Sequence, residues 1–472
     1  MSEYTLHIGG EAIAAKTTFP VVNPATGAVF AHAPLADAKA IEAAVAAAER
    51  AFSTTTWRDD EAARRASLQA AAERLEGAQE TIARLITQEQ GRPIRYTRAE
   101  VAGAAAILRQ HAALPLPEAP PLEALPGNTA AQVRLERRPL GVVAAITPWN
   151  VPIILLVVKL APALLAGNTV VAKPSEYTPL STLKLAEVIG PAFPAGVFNV
   201  VSGAGEVGKA LASHPAVRKI AFTGSVATGR ALFKNAADDF KRLTLELGGN
   251  DPALILEDAD PEAVAEKIFW GAFWNSGQIC FAIKRLYVPA ALHDNLLAAL
   301  LARAKKTVVG DGLEEATELG PLTTAAQRER VKSLVADAKK RGGVIHAGGS
   351  VPESGFFYPP TLVTGLGRGA PLVDEEQFGP VLPLIAYTDA EAALAEINAN
   401  PYGLGASVWT ADIERGLRFA RRFESGLSWV NTHQSLHPAA PKGGWKWSGL
   451  GYEGGSEGLE AYRQLQVVYV AR

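Results

Sequence analysis

The hydrophobic positions along this chain change period twice. Residues 36–53 and 60–90 carry Ala, Leu, Ile and Val at helical spacing among Glu and Arg, so the N-terminal third reads as mostly helical, with a turn signal at its front in Asn23-Pro24-Ala25-Thr26-Gly27. Prolines then accumulate between about 114 and 128 (Leu114-Pro-Leu-Pro-Glu-Ala-Pro-Pro-Leu122), which predicts a crossing segment or linker. Residues 130–138 alternate apolar and polar side chains, the period of a half-exposed strand. From 140 onward, short apolar runs alternate with helical stretches: Gly141–Ile146, Thr169–Ala172, Val197–Val201, Lys219–Phe222 and Leu243–Leu247. Strands buried on both faces read as continuous apolar runs, so this rhythm predicts a parallel sheet covered by helices. A second α/β rhythm begins at Lys284–Val288, with helices at 290–306 and 324–341 and strands near 361 and 381. The tail, Gln464–Val470, is a strand that must pair or leave an open edge; together with 130–138 it suggests an intersubunit sheet.

Bulk properties narrow the class. A chain of 472 residues suggests two or three domains at roughly 150 residues each. Hydrophobic content of 48% with 20% charged residues fits a globular enzyme with a large core. A net charge of −2 gives no electrostatic reason to expect nucleic acid or an anionic membrane as partner. The N-terminus lacks the basic and apolar regions of a secretory signal, and the apolar run Val151–Val158 is far short of the ~20 residues that span a bilayer. With one cysteine there is no disulfide framework and no expected metal site, and the default location is the cytoplasm.

That cysteine, Cys280, lies in Asn275-Ser-Gly-Gln-Ile-Cys280-Phe281; upstream, Glu246 stands between apolar neighbours in Leu245-Glu246-Leu247-Gly248-Gly249. A thiol and an acid in apolar, glycine-punctuated segments suggest covalent catalysis, although many lone cysteines are simply small buried hydrophobes. Two glycine turns compete as a phosphate cradle. Gly203-Ala-Gly205-Glu-Val-Gly208 has the dinucleotide spacing but lacks the acid about 20 residues on, and Phe222-Thr-Gly224-Ser225-Val-Ala-Thr-Gly229 opens a helix with small hydroxyl residues and free N–H groups. Ahead of both, Lys173 and Glu176 sit at a strand end, where ligands bind in open α/β sheets. A carboxylate there accepts ribose hydroxyls and repels a 2′-phosphate, so Glu176 favours NAD over NADP.

Taken in order, seven segments resemble the aldehyde dehydrogenase superfamily over essentially the whole chain: Thr147-Pro-Trp149-Asn150-Val-Pro152, Gly167–Glu176, Phe222–Ser225, Leu245–Gly249, Gly277–Cys280, Glu376-Gln-Phe378-Gly-Pro380 and Gly443–Gly449. The resemblance implies an α/β fold with a Rossmann-like cofactor domain (1–117 and 140–248), an α/β catalytic domain (249–440) and a small β oligomerisation arm (118–139 and 441–472), in a homodimer or homotetramer. It implies NAD(P)-dependent oxidation of an aldehyde to the acid. Cys280 would add to the carbonyl as nucleophile. Asn150 and the Cys280 N–H would hold the oxyanion, hydride loss would leave a thioester, and Glu246 would activate the hydrolytic water. Lys159 matches a lysine that assists proton traffic; by itself it reads as a snorkelling surface lysine. For the cofactor, the resemblance assigns Lys173 and Glu176 to the adenine ribose, Gly224 and Ser225 to the pyrophosphate, Gly205 to a flanking turn, Glu376 to the nicotinamide ribose and Phe378 to the nicotinamide. Ile146, Thr147, Trp149, Phe222 and Leu247 would line the same cleft.

The family's aldehyde tunnel is often aromatic. Here Val151, Leu155, Val158, Ile279, Phe281 and Leu436 would form a wall with fewer rings, leaving room for an aromatic or bulky aliphatic aldehyde. Lys442 replaces the usual aromatic residue before Gly443-Gly444, and near the tunnel mouth it would favour aldehydes bearing an anionic or hydroxyl group; the alternative is a lysine pointing to solvent. Tyr452 stands where an arginine is common. The competing functions are CoA-acylating oxidation, against which Glu246 speaks, and a non-catalytic NAD-binding structural protein.

Overall fold

The computed structural model describes residues 4–116, 131–437 and 439–471; most of the proline-rich segment around 114–128 lies outside them. Two sheets organise the chain. In the first, five strands run parallel in the spatial order Phe198–Val200, Thr169–Lys173, Val142–Ile146, Val217–Thr223, Arg242–Glu246. The chain starts in the middle of that order and winds outward to both sides, so Val142–Ile146 and Val217–Thr223 flank the point where the winding reverses. Carboxyl ends of strands diverge there and leave a crevice. Antiparallel strands close both edges: Leu6–Ile8 and Glu11–Ile13 on one side, and Gly449–Leu450 on the other, so a piece of the C-terminal segment belongs to this sheet.

The second sheet orders its strands Val344–Ala347, Thr361–Thr364, Val381–Tyr387, Ile283–Pro289, Asp251–Ile255, Gly405–Trp409, Leu427–Val430; only the first pairing is antiparallel. The third unit is a ribbon in which Arg463–Ala471 pairs antiparallel with Ala131–Pro139, register Arg463↔Pro139 to Ala471↔Ala131. The terminal strand thus finds its first partner inside its own chain, not across an interface. The ribbon still exposes Leu465, Val467 and Tyr469.

The helices follow the expected punctuation. Asp37 and Asp60 accept backbone N–H bonds as N-caps of Ala38–Thr54 and Glu61–Gly77, and Gly91 closes Gln79–Gln90 in the left-handed conformation. The N-terminal third departs from the helical expectation at its front, where Thr17–Asn23 and Ala28–Leu35 form a hairpin around the Asn23–Gly27 turn. Their apolar residues are interrupted by Thr, Pro, His and Asn and the strands are half exposed, so no apolar run announced them.

One buried carboxylate ties the helices under the site together. Glu100, on Ile94–Ala113, accepts the N–H groups of Ile153 and Ile154 at 2.8 and 3.1 Å, capping Pro152–Leu165, and its other oxygen pairs with buried Arg92. Among the described residues no helix is long and apolar enough to cross a membrane.

Candidate active site

Cys280 is presented by a strained turn. Asn275, Ser276 and Gly277 all have positive φ (52°, 54° and 73°), a rare conformation for the first two. Side chains fasten it. Gln278 bonds Asn275 O and accepts Thr323 N–H, while Lys284, four residues past the cysteine, reaches back to the carbonyls of Ile279 (2.8 Å) and Cys280 (2.6 Å). The glycines after Glu246 let other groups approach. A Cβ at Gly248 would sit 2.3 Å from Glu376 Oε2, and one at Gly249 2.5 Å from the Cys280 carbonyl.

In front of the thiol lies a cavity of about 930 Å³. All seven residues expected to meet substrate line it: Val151, Leu155, Val158, Ile279, Phe281, Leu436 and Lys442. Asn150 lines it too, its amide oriented by a 2.9 Å bond from Nδ2 to Gln278 O. An amide has two hydrogens, so one remains for a ligand. The expectation of few rings needs correction, because Tyr96 from Ile94–Ala113, Trp270 from Pro261–Phe273 and Trp274 at the start of Trp274–Gly277 also line the cavity, Tyr96 and Trp274 meeting edge to face at 5.8 Å.

Glu246 ends its strand beside this floor. Its Oε1 is buried without a hydrogen-bond partner, and burial, reinforced by the nearby Glu453 carboxylate, pushes its pKa up to about 8. Burial and the negative charge of Glu246 push the Cys280 thiol to about 12, so the thiol does not ionise unaided near neutrality. Glu453 goes the other way: burial disfavours its charge, but Lys159 and Lys442 overcome that and hold it below the usual range. Lys159 is no surface lysine. Its fully buried ammonium donates to Glu453 Oε1 (2.5 Å) and Thr223 Oγ1 (2.6 Å). Lys442 is neither in open solvent nor a free cation at the tunnel mouth, since its Nζ lies 3.3 Å from Glu453 Oε2.

The residues expected to hold a dinucleotide gather at the carboxyl ends of the first sheet. Ile146, Lys173 and Phe222 lie on adjacent strands there, Thr147 N–H bonds the Lys173 carbonyl, and Lys173 Nζ lies 3.6 Å from Glu176 Oε2. Ser225 caps the eleven-residue helix Val226–Ala236, with Gly224 before it and Leu247 packed over Gly229. Gly205 opens the neighbouring helix Gly205–Ser213. Across the crevice Glu376 accepts the Gly249 N–H at 3.1 Å, and Phe378, at φ 48°, meets Trp149 edge to face at 5.4 Å. The arrangement leaves room and bonding capacity for a ligand: Thr147 Oγ1 is buried without a partner, and a Cβ at Gly205 would meet nothing within 4 Å.

Sequence reading missed three parts of this site. Lys284 had no motif around it. Glu453 was passed over for its neighbour Tyr452. The stripe Tyr96, Ala99, Gly103, Ala106, Gln110 along one face of Ile94–Ala113 follows a helical period, but its small residues carry no sign of a cavity wall.

The profile described as "Aldehyde dehydrogenase family" matches residues 12–468. The chain is 37% identical over 484 residues to phenylacetaldehyde dehydrogenase of Pseudomonas fluorescens, covering 98% of this chain and 95% of the relative. It is 37% identical over 457 residues to the NADP(+) succinate-semialdehyde dehydrogenase GabD of Escherichia coli K12, covering 95% and 94%. Among solved structures, betaine aldehyde dehydrogenase of Staphylococcus aureus in complex with NAD+ superimposes with a TM-score of 0.95 at 32% identity, covering 99% and 94%.

Proposed function

The chain belongs to the aldehyde dehydrogenase family, and from that premise we propose that it oxidises an aromatic or bulky aliphatic aldehyde to the carboxylic acid with NAD. The observation that carries this reading is the largely apolar, ring-lined cavity of about 930 Å³ with Cys280 and Asn150 on its wall. Cys280 is the nucleophile of the proposal: its S–H proton passes to Glu246, and sulfur adds to the carbonyl carbon. Asn150 Nδ2, braced by Gln278, donates to the oxygen as it becomes anionic, a contribution typically worth roughly 10²–10³ in rate. NAD supplies the hydride acceptor when bound. Once it has released the thiol proton to solvent, Glu246 removes a proton from the water that hydrolyses the thioester; Lys442 and Lys159 favour its charged form against burial and the Glu453 carboxylate. Lys173, Glu176, Gly224, Ser225, Glu376 and Phe378 are the proposed cofactor contacts. The half-buried Glu176 carboxylate favours NAD, although one relative is named for NADP(+).

The division into cofactor domain, catalytic domain and arm is part of the same proposal, as is assembly into a homodimer or homotetramer through the exposed apolar face of the 131–139/463–471 ribbon. A cytoplasmic setting is part of the same proposal and rests on the single cysteine. NADH formation from phenylacetaldehyde, benzaldehyde and propanal, with NAD and NADP side by side and Cys280→Ala as control, tests the reading. The two aromatic substrates should give the higher kcat/KM, with NAD preferred; turnover surviving in Cys280→Ala, or propanal outrunning both aromatics, would sink it.

A further inference from the structure

Lys442 is bound to Glu453 twice over. Each residue's backbone N–H donates to the other's carbonyl at 2.8 Å, an isolated antiparallel bridge, and the side chains meet at 3.3 Å. The other oxygen of the same carboxylate takes Lys159 at 2.5 Å. Side-chain exposures of 0% for Lys159, 1% for Glu453 and 17% for Lys442 place the trio out of bulk water, with Lys442 alone opening to the cavity. Two ammonium groups on one carboxylate leave one positive charge unbalanced. The acidic groups facing it are Glu246, whose Oε1 lacks a partner, and the thiol of Cys280. Across the site Lys284 and Glu376 also face the thiol, but the Lys284 ammonium is already engaged by two carbonyls and lies 3.6 Å from Glu376.

Resting on the function proposed above, we propose that Lys442 is a positioning residue for the proton of the Cys280–Glu246 pair: its ammonium, clamped to Glu453 and open to the cavity, lowers the pH at which that pair passes from two protons to one. With one proton the pair is competent, since the S–H bond breaks as an O–H bond forms on Glu246 and no charge leaves the site. With two protons Glu246 has no lone pair to receive the thiol proton, and attack stops. The electrostatics agree: burial would depress Lys442, yet Glu453, Glu246 and Cys280 together raise it, so it stays cationic.

The test is the pH dependence of Cys280 alkylation by iodoacetamide in wild type, Lys442→Met and Lys442→Arg, alongside the pH profile of kcat/KM with benzaldehyde. Cys280 is the chain's one cysteine, so the alkylation signal is unambiguous. Losing the charge should move the midpoint up by about one pH unit, making alkylation at pH 7 about tenfold slower in the Met variant. The Arg variant should stay within about twofold of wild type, because it keeps the charge. An unmoved midpoint in Lys442→Met, or equal shifts in Met and Arg, overturns the proposal. So does a Met variant that loses turnover only of a carboxylate-bearing aldehyde with its midpoint unchanged, which would make the lysine a substrate contact. Thermal melts run in parallel; if Met fails to fold, Lys442→Gln replaces it, and if both fail the lysine is structural and the proposal falls. Absence of NADH from any aldehyde in wild type refutes the function instead, while the alkylation profile still decides the role of Lys442.

Discussion

Hydrolysis of the acyl-enzyme should accelerate steeply through pH 8. Burial beside Glu453 stabilises the neutral form of Glu246 and raises its midpoint to about 8. The base is therefore gained, not lost, as pH rises. With that midpoint about a tenth of Glu246 is ionised at pH 7 and about nine-tenths at pH 9, so a step requiring the carboxylate gains about tenfold between them. Rapid-quench mass spectrometry of the thioester on Cys280 reads the step directly: mix enzyme, NAD and phenylacetaldehyde, then follow decay of the acyl adduct from pH 6.5 to 9.5. Glu246→Gln preserves shape and removes the base, so it should accumulate the adduct with decay slowed by about 10²–10⁴. A decay rate flat between pH 7 and 9 refutes the assigned midpoint. Decay in Glu246→Gln equal to wild type refutes the role itself.

Other expectations follow from particular contacts. Gly248→Ala places a methyl 2.3 Å from Glu376 Oε2 and should displace it, raising KM for NAD about tenfold with little change in thermal stability, as read by initial rates and a melt. Glu100→Ala leaves the Arg92 guanidinium buried without its partner and uncaps Ile153 and Ile154; urea unfolding should show a loss of about 3–5 kcal/mol, and a loss under 1 kcal/mol would mean Arg92 has another outlet. Trp274→Ala removes a ring from the cavity wall and should lower kcat/KM for phenylacetaldehyde at least about fivefold more than for propanal, a selectivity of about 1 kcal/mol.

Much of the layout was legible because buried parallel strands announce themselves as apolar runs. Thr169–Lys173 and Val142–Ile146 are buried along their whole length, and both lie within a residue or two of where the hydrophobic pattern placed them. The N-terminal hairpin was not legible, since its half-exposed strands lack that run. At the site, local motifs picked out Cys280, Glu246 and Asn150 as candidates; Cys280 and Asn150 line one cavity, and the Glu246 charge is felt by the thiol. Lys284 and Glu453 eluded the reading for a shared physical reason: each acts by reaching a backbone or side chain placed by folding, and nothing in the flanking sequence records the reach. Lys159 shows the limit of reasoning from residue type. A lysine on an apolar helix ordinarily extends its stem toward water, and here a carboxylate from a distant segment reverses that preference.

The bond between Lys159 and Glu453 joins positions 294 residues apart, and Gly449 pairs with Glu246 itself. During synthesis, then, the strands of the first sheet can form well before the catalytic charges are set. Until residues 449–453 leave the ribosome, Lys159 has no carboxylate beside it and the strand carrying Glu246 has an open edge. A nascent chain can hold Cys280 in its turn before the charges around Glu246 are complete, so reactivity waits for residues 449–453.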